Sequence, residues 1–140
     1  MSAGTGIRHS EFNGSKQEPV HFLQIWILPE KNGLLPEYQE RRFSAEDKRG
    51  RLKLIASHDG REESLPIHQD IELYSALLTS NERVTHQVHP RRHVWVQVAS
   101  GAVTLNGQSL ASGDGAAVSD ESVVEITGVE HAELLLFDLA

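Results

Sequence analysis

Apolar residues in this chain fall into short runs separated by turn-forming residues, with no coiled-coil heptad, low-complexity tract or exact internal repeat. From Arg51 onward the runs recur about every 8–12 residues, punctuated by Asp59-Gly60, Ser80-Asn81, Ser100-Gly101, Asn106-Gly107 and Gly113-Asp114-Gly115. That spacing predicts an all-β sandwich or barrel. Val94, Val96 and Val98 alternate with His93, Trp95 and Gln97, so the valines line one face of a strand and the others its opposite face. Asn106-Gly107, set between Val103-Thr104-Leu105 and Gln108-Ser109-Leu110, predicts a two-residue hairpin, because both residues accept the positive φ of a type I′ turn. Leu134-Leu135-Leu136-Phe137 and Leu139 read as a closing strand buried on both faces.

Upstream, Pro19–Pro29 is β-branched, aromatic and closed by proline at both ends, which predicts a buried strand. Glu30 to Gly50 then turns polar, with Lys31-Asn32-Gly33, Pro36 and a dense charge cluster from Glu37 onward. This is the composition of a connector, within which Pro36–Phe43 is read as one or two helical turns. The expected organisation is a first unit over residues 1–35, a linker over 36–50 and a β-domain over 51–140.

Composition narrows the chemistry. The 140 residues carry a net charge of −7, so the broad field repels polyanions and nucleic acid is not the expected partner. The absence of cysteine removes thiolate metal sites, iron–sulfur clusters and cysteine nucleophiles together. No apolar stretch approaches the roughly 20 residues of a membrane span, and Met1-Ser2-Ala3-Gly4 lacks the charged opening of a secretory signal. A cytoplasmic, membrane-free location is therefore expected, and Asn13-Gly14-Ser15 reads as a turn instead of a glycosylation site. Neither a phosphate-cradling glycine loop nor a nucleophile elbow is present, since Ser10 and His9 are strand neighbours that point apart.

The most specific chemical signal is Gly6-Ile7-Arg8-His9-Ser10-Glu11-Phe12-Asn13, which fits the second cupin motif of glycine, two residues, histidine, three residues and asparagine. On a strand, residues two apart point the same way with Cα atoms roughly 7 Å apart, so His9 and Glu11 could face a barrel interior and share one metal. An imidazole and a carboxylate suit iron, manganese or nickel. The run Met1–Phe12 resembles the pirin family of the cupin superfamily. So do Pro19–Pro29, Arg51-Leu52-Lys53-Leu54-Ile55-Ala56-Ser57, Ile67-His68-Gln69-Asp70, Gly101–Gly107 and Leu136-Phe137-Asp138-Leu139.

That resemblance, spanning essentially the whole chain, implies a jelly-roll cupin β-barrel at the C-terminus preceded by the last strands of a metal-binding cupin. It further implies kinship with quercetin 2,3-dioxygenases and a divalent metal, Fe(II) first, with Mn, Ni, Cu or Zn as alternatives. In the family two histidines of an early His-x-His motif are joined by a later histidine and glutamate. His9 and Glu11 match the later pair, with Glu11 also the candidate catalytic proton acceptor.

The departures matter as much. No His-x-His precedes His9, so the expectation is a truncated protein whose metal site is incomplete and whose first sheet has a raw edge. In the second barrel, the position seven residues before Gly101 is Val94 and the position 13 after Gly113 is Ile126, neither a metal ligand. His86, His89 and His93 lie nearby, and His89 and His93 could share a strand face unless Pro90 breaks it. His21, His58, His68 and His131 read as isolated surface histidines, Glu37–Arg42 as a solvated face, and Trp26 and Trp95 as packed in cores or between barrels.

Two functions compete. One is a dioxygenase acting on a flavonol-like aromatic, its site completed by a homodimer with two His9-Glu11 pairs or by a complementing N-terminal cupin fragment. The other is a non-catalytic binding or regulatory module.

Overall fold

In the computed structural model, which describes residues 1–140, the period-2 patterning from Lys53 onward is converted into two facing antiparallel sheets. The strands are β1 (Lys53–Ser57), β2 (Leu65–Pro66), β3 (Ile71–Leu78), β4 (Arg83–Gln87), β5 (His93–Ser100), β6 (Ala102–Leu105), β7 (Gln108–Ala111), β8 (Gly115–Val118), β9 (Val123–Gly128) and β10 (Ala132–Leu139). One sheet runs β2-β1-β3-β10-β5-β8 and the other β4-β9-β6-β7. Only the short β1–β2 pairing is parallel.

The core lies between the sheets. Ala76, Leu78, Val94, Val96, Val98, Leu134 and Leu136 from the larger sheet meet Val84, Val103, Leu105, Val124 and Ile126 from the smaller one. The expected alternation on β5 is seen: Val94, Val96 and Val98 are buried, whereas His93 and Trp95 are exposed and Gln97 is half-buried. The Asn106-Gly107 hairpin forms as expected, with φ of 45° and 83° at the two turn residues. Gly115 is required for another reason. A Cβ there would sit 2.2 Å from a ring carbon of Trp95, so the indole lies flat across a position that must have no side chain.

Several expectations change. Pro19–Leu28 is not a buried strand: it pairs with no other segment, and Val20, Phe22, Trp26 and Leu28 are exposed. Its composition favours a sheet, but a strand needs a partner's backbone, and no backbone N–H or C=O from Val20 to Ile27 is hydrogen-bonded within the protein. The segment is fastened at its end, where Gln69 Nε2 donates to the Leu28 carbonyl (2.8 Å) and the Glu30 N–H to the His68 carbonyl (2.8 Å).

The connector's helix is α1 (Ala45–Lys48), not Pro36–Phe43. Ser44 and Asp47 form a reciprocal capping box that sets its start, and nothing equivalent stands before Pro36. The closing strand β10 is buried on one face only. Ala132, Leu134, Leu136 and Asp138 point inward, while Leu135, Phe137 and Leu139 are half-buried because residues 23–28 cover that side loosely. No helix is long and apolar enough to cross a membrane.

Candidate functional site

His9 and Glu11 lie beside each other as their spacing implied, with Nδ1 and Oε1 3.8 Å apart. They stand on an exposed segment outside any strand, not inside a barrel, and their side chains are 41% and 53% accessible. The barrel expected to enclose them has no strand within residues 1–35, for the same want of pairing partners that leaves Pro19–Leu28 open. Next to them Asn13 forms the turn read from the sequence, its Oδ1 accepting from the Ser15 N–H at 3.0 Å and its Nδ2 donating to the Glu18 carbonyl at 2.7 Å. As donors the pair fits a divalent first-row metal in kind, one nitrogen and one carboxylate, but supplies two ligands. No group of three or more metal-capable side chains occurs in the structure.

The second barrel's motif positions are occupied by core aliphatics. Val94 is 1% accessible and Ile126 0%, both inside the main hydrophobic cluster. The three nearby histidines are dispersed. His86 bonds Asp138 (Nε2 to Oδ2, 2.6 Å), His93 bonds the Ser119 hydroxyl (2.8 Å), and His89 lies in the turn whose carbonyl accepts from the Arg92 N–H (3.1 Å). Of the isolated histidines, His58 and His68 approach Glu30 and Glu37 at 3.5 and 3.4 Å, linking the N-terminal segment to the barrel. Glu37–Arg42 is exposed, although Glu37 also exchanges two backbone hydrogen bonds with Ser2.

Sequence reasoning missed the polar end of the barrel. Asp138 is 2% accessible and points inward beside Leu134 and Leu136. Its carboxylate accepts from His86 and from Arg92 Nε; Arg92 Nη2 donates to its carbonyl (3.0 Å), and Arg92 Nη1 reaches Asp70 (3.0 Å). Opposite Asp138 on β3, Glu72 accepts from the Tyr74 hydroxyl and from Arg61, which also contacts Asp59. The Tyr74 and His86 rings stand 5.2 Å apart, tilted by 58°. Every buried side-chain nitrogen or oxygen has a partner, so this network is closed.

Electrostatics agree with the geometry. Burial pushes the Asp138 carboxyl up, but the hydrogen bonds from His86 and Arg92 and the Arg92 charge outweigh it and hold the group below the ordinary carboxylate range. Glu72 is likewise lowered, with the bonds from Tyr74 and Arg61 overcoming burial. Tyr74 is raised by burial and by its bond to Glu72. Asp138 and Glu72 therefore hold fixed negative charges in a structural lattice, with Tyr74 a neutral donor to Glu72. The signal in the sequence was an aspartate at an inward position of Leu134–Leu139, a charge that requires buried partners.

On the outer face of the larger sheet lies an apolar groove of about 530 Å³ between residues 23–28 and Ile71, Trp95, Gln97, Leu135, Phe137 and Leu139. Trp26 and Trp95 both line it. Of the two places expected for them, cores or between barrels, neither lies in a core: Trp26 is 88% and Trp95 39% accessible, and both stand in the groove between the N-terminal segment and the C-terminal barrel.

Comparison with known proteins places these features. A family described as "Quercetinase C-terminal cupin domain" matches residues 54–139, and one described as "Pirin" matches residues 1–27. The chain is 48% identical over 139 residues to a quercetin 2,3-dioxygenase of Escherichia coli (strain K12), covering 99% of this chain and 59% of that protein. The fold is similar to the crystal structure of YhhW from Escherichia coli, with a TM-score of 0.77 and 43% identity over 82% of this chain and 48% of that one. The structure of bacterial pirin YhhW in complex with nickel(II), also from Escherichia coli, gives 0.76 and 44% over 81% and 48%. The chain thus spans about three-fifths of the curated relative's length.

Proposed function

The chain belongs to the pirin family of the cupin superfamily, and from that membership we propose that it contributes His9 and Glu11 to a divalent metal site whose other donors lie outside its C-terminal barrel. The barrel itself is a non-catalytic scaffold. The observation that carries this reading is the contrast between the two places a metal could sit. His9 and Glu11 are adjacent and open, whereas Val94 and Ile126 fill the second barrel's motif positions and the charged network closes around Asp138.

The relatives' names and the nickel complex support a divalent ion, with Fe(II) the first choice and Ni, Mn, Cu or Zn compatible with the same donors. Such an ion supplies Lewis-acid polarisation and open coordination positions. His9 acts as a neutral imidazole ligand. Glu11 serves as carboxylate ligand and acceptor for the hydroxyl proton of a flavonol-like substrate. Two donors leave the set incomplete, so this chain by itself does not turn over flavonol. A second copy bringing another His9-Glu11 pair, or a complementing cupin segment, supplies the remainder. The non-catalytic alternative, a binding or regulatory module, is favoured by the open apolar groove.

Oxygen uptake with quercetin and Fe(II) tests the reading. The expected rate equals that of the metal-only blank, with no change in His9→Ala. A rate at least tenfold above the blank that disappears in both His9→Ala and Glu11→Gln would mean that these residues already stand in a complete site.

A further inference from the structure

Residues 1–35 are hydrogen-bonded to the barrel at one short turn, His68–Asp70. The Glu30 N–H donates to the His68 carbonyl and Gln69 Nε2 donates to the Leu28 carbonyl, each at 2.8 Å. The His68 ring also approaches Glu37 at 3.4 Å, and Glu37 exchanges two backbone bonds with Ser2. Gln69 turns its amide nitrogen toward Leu28 because its Oε1 accepts from the Asp70 N–H at 2.9 Å, which fixes the orientation of the amide. Asp70 is in turn held by Arg92, whose Nη1 donates to Oδ1 (3.0 Å) and Nη2 to the Asp70 carbonyl (3.5 Å). The same guanidinium binds Asp138 through Nε to Oδ1 and through Nη2 to the carbonyl (3.0 Å). Arg92 is itself anchored at the β4–β5 turn, where its N–H donates to the His89 carbonyl at 3.1 Å.

We propose that Arg92 is a positioning residue through which the buried Asp138 of the barrel seats the N-terminal segment: Asp138 orients the guanidinium, the guanidinium holds Asp70, and Asp70 sets the turn that receives Leu28 and Glu30. Magnitudes separate this role from simple stabilisation. Neutralising the buried Asp138 carboxylate takes one edge of the guanidinium fork. The other edge is used on Asp70, whose side chain is 66% accessible, and an ion pair to so exposed a carboxylate adds little stability by itself. What that second bond supplies is the place of the turn. The task requires arginine, because a planar guanidinium presents donors to two carboxylates in fixed directions, whereas a lysine is a single point charge that keeps one partner and releases the other. The closed network at the barrel's polar end thus has one outward connection, and it leads to the turn that holds residues 28–30. This role concerns the seating of the segment and is independent of metal binding.

Amide hydrogen exchange of the full chain, in the presence of a chelator, tests the relay at single residues. The reporter is the Glu30 N–H, and the barrel references are the Leu134 and Leu136 amides on β10, which is paired on both sides. Asp70→Ala leaves the Arg92–Asp138 contact in place and is expected to speed exchange at Glu30 by about tenfold, the scale of losing one charge-assisted hydrogen bond, with Leu134 and Leu136 unchanged. Arg92→Lys keeps a positive charge beside Asp138 and is expected to show the same acceleration at Glu30. The double variant Arg92→Lys with Asp70→Ala should accelerate Glu30 no more than Arg92→Lys alone, because the two residues act in series. Arg83→Ala, which breaks the ion pair to Glu125 on the other sheet, should leave Glu30 as in the unmodified protein. Glu30 protection unaltered in Asp70→Ala would overturn the proposal. So would equal loss at Glu30, Leu134 and Leu136 in Asp70→Ala, since that is general destabilisation of the barrel and not loss of seating.

Discussion

Replacing Asp138 with alanine is expected to lower the unfolding free energy by about 3–5 kcal/mol, the range for removing one partner of a buried ion pair. The aspartate is buried with Leu134 and Leu136 and is held by His86 and Arg92. Its loss leaves the Arg92 guanidinium, itself mostly buried, with only the exposed Asp70 carboxylate as counterion. The same substitution changes the response to acid. Because the Asp138 carboxyl titrates below its unfolded value, its contribution is fully present above the ordinary carboxylate pKa of about 4 and disappears as pH falls through the lowered folded value. Urea unfolding from neutral pH down to about pH 2 should therefore show wild type and Asp138→Ala converging at the acid end. Parallel curves would mean that the charge of Asp138 contributes nothing to stability.

Val94→Glu places a carboxylate at the position seven residues before Gly101, yet it is expected to cost about 4 kcal/mol or more without creating a metal site. Val94 is buried in the same cluster as Val96, Val98 and Leu136, and its cross-strand neighbour on β10 is Asp138, whose carboxylate already takes the hydrogen bonds of His86 and Arg92 and would repel a second one. Burying an unpaired carboxylate there either forces its protonation or opens the sheets. Thermal unfolding with and without Ni(II) distinguishes scaffold from latent metal centre. The scaffold reading requires the same loss under both conditions, whereas recovery of stability by Ni(II) would reveal a vestigial site able to accept metal.

Much of the β-domain was legible because strand periodicity writes burial directly into sequence. Val94, Val96 and Val98 could be assigned to the interior by alternation alone, and Asn106-Gly107 located a hairpin through its φ requirements. The same rule, applied to Leu134–Leu139, would have placed Asp138 inward. Counting the strand as uniformly apolar hid that residue and with it the network. Pro19–Leu28 illustrates the opposite limit. β-propensity states that a segment suits a sheet, but pairing is a long-range property decided by another segment's backbone. The residues are as suited to a strand as those of β5 and still find no ladder. The metal pair was legible as a motif, and its adjacency is reproduced at 3.8 Å. Its surroundings were not, because enclosure depends on which strands stand around it.

Site-resolved paramagnetic broadening tests the central claim most directly: metal donors at His9 and Glu11, and a filled, metal-free C-terminal barrel. Substoichiometric Mn(II) added to the labelled chain is expected to broaden the amide signals of residues 8–13 first and to leave Val94, Ile126 and the His86–His93 region sharp. His9→Ala should remove the effect. Broadening centred on His86, His89 and His93 that persists in His9→Ala would place the metal in the second barrel and contradict the account.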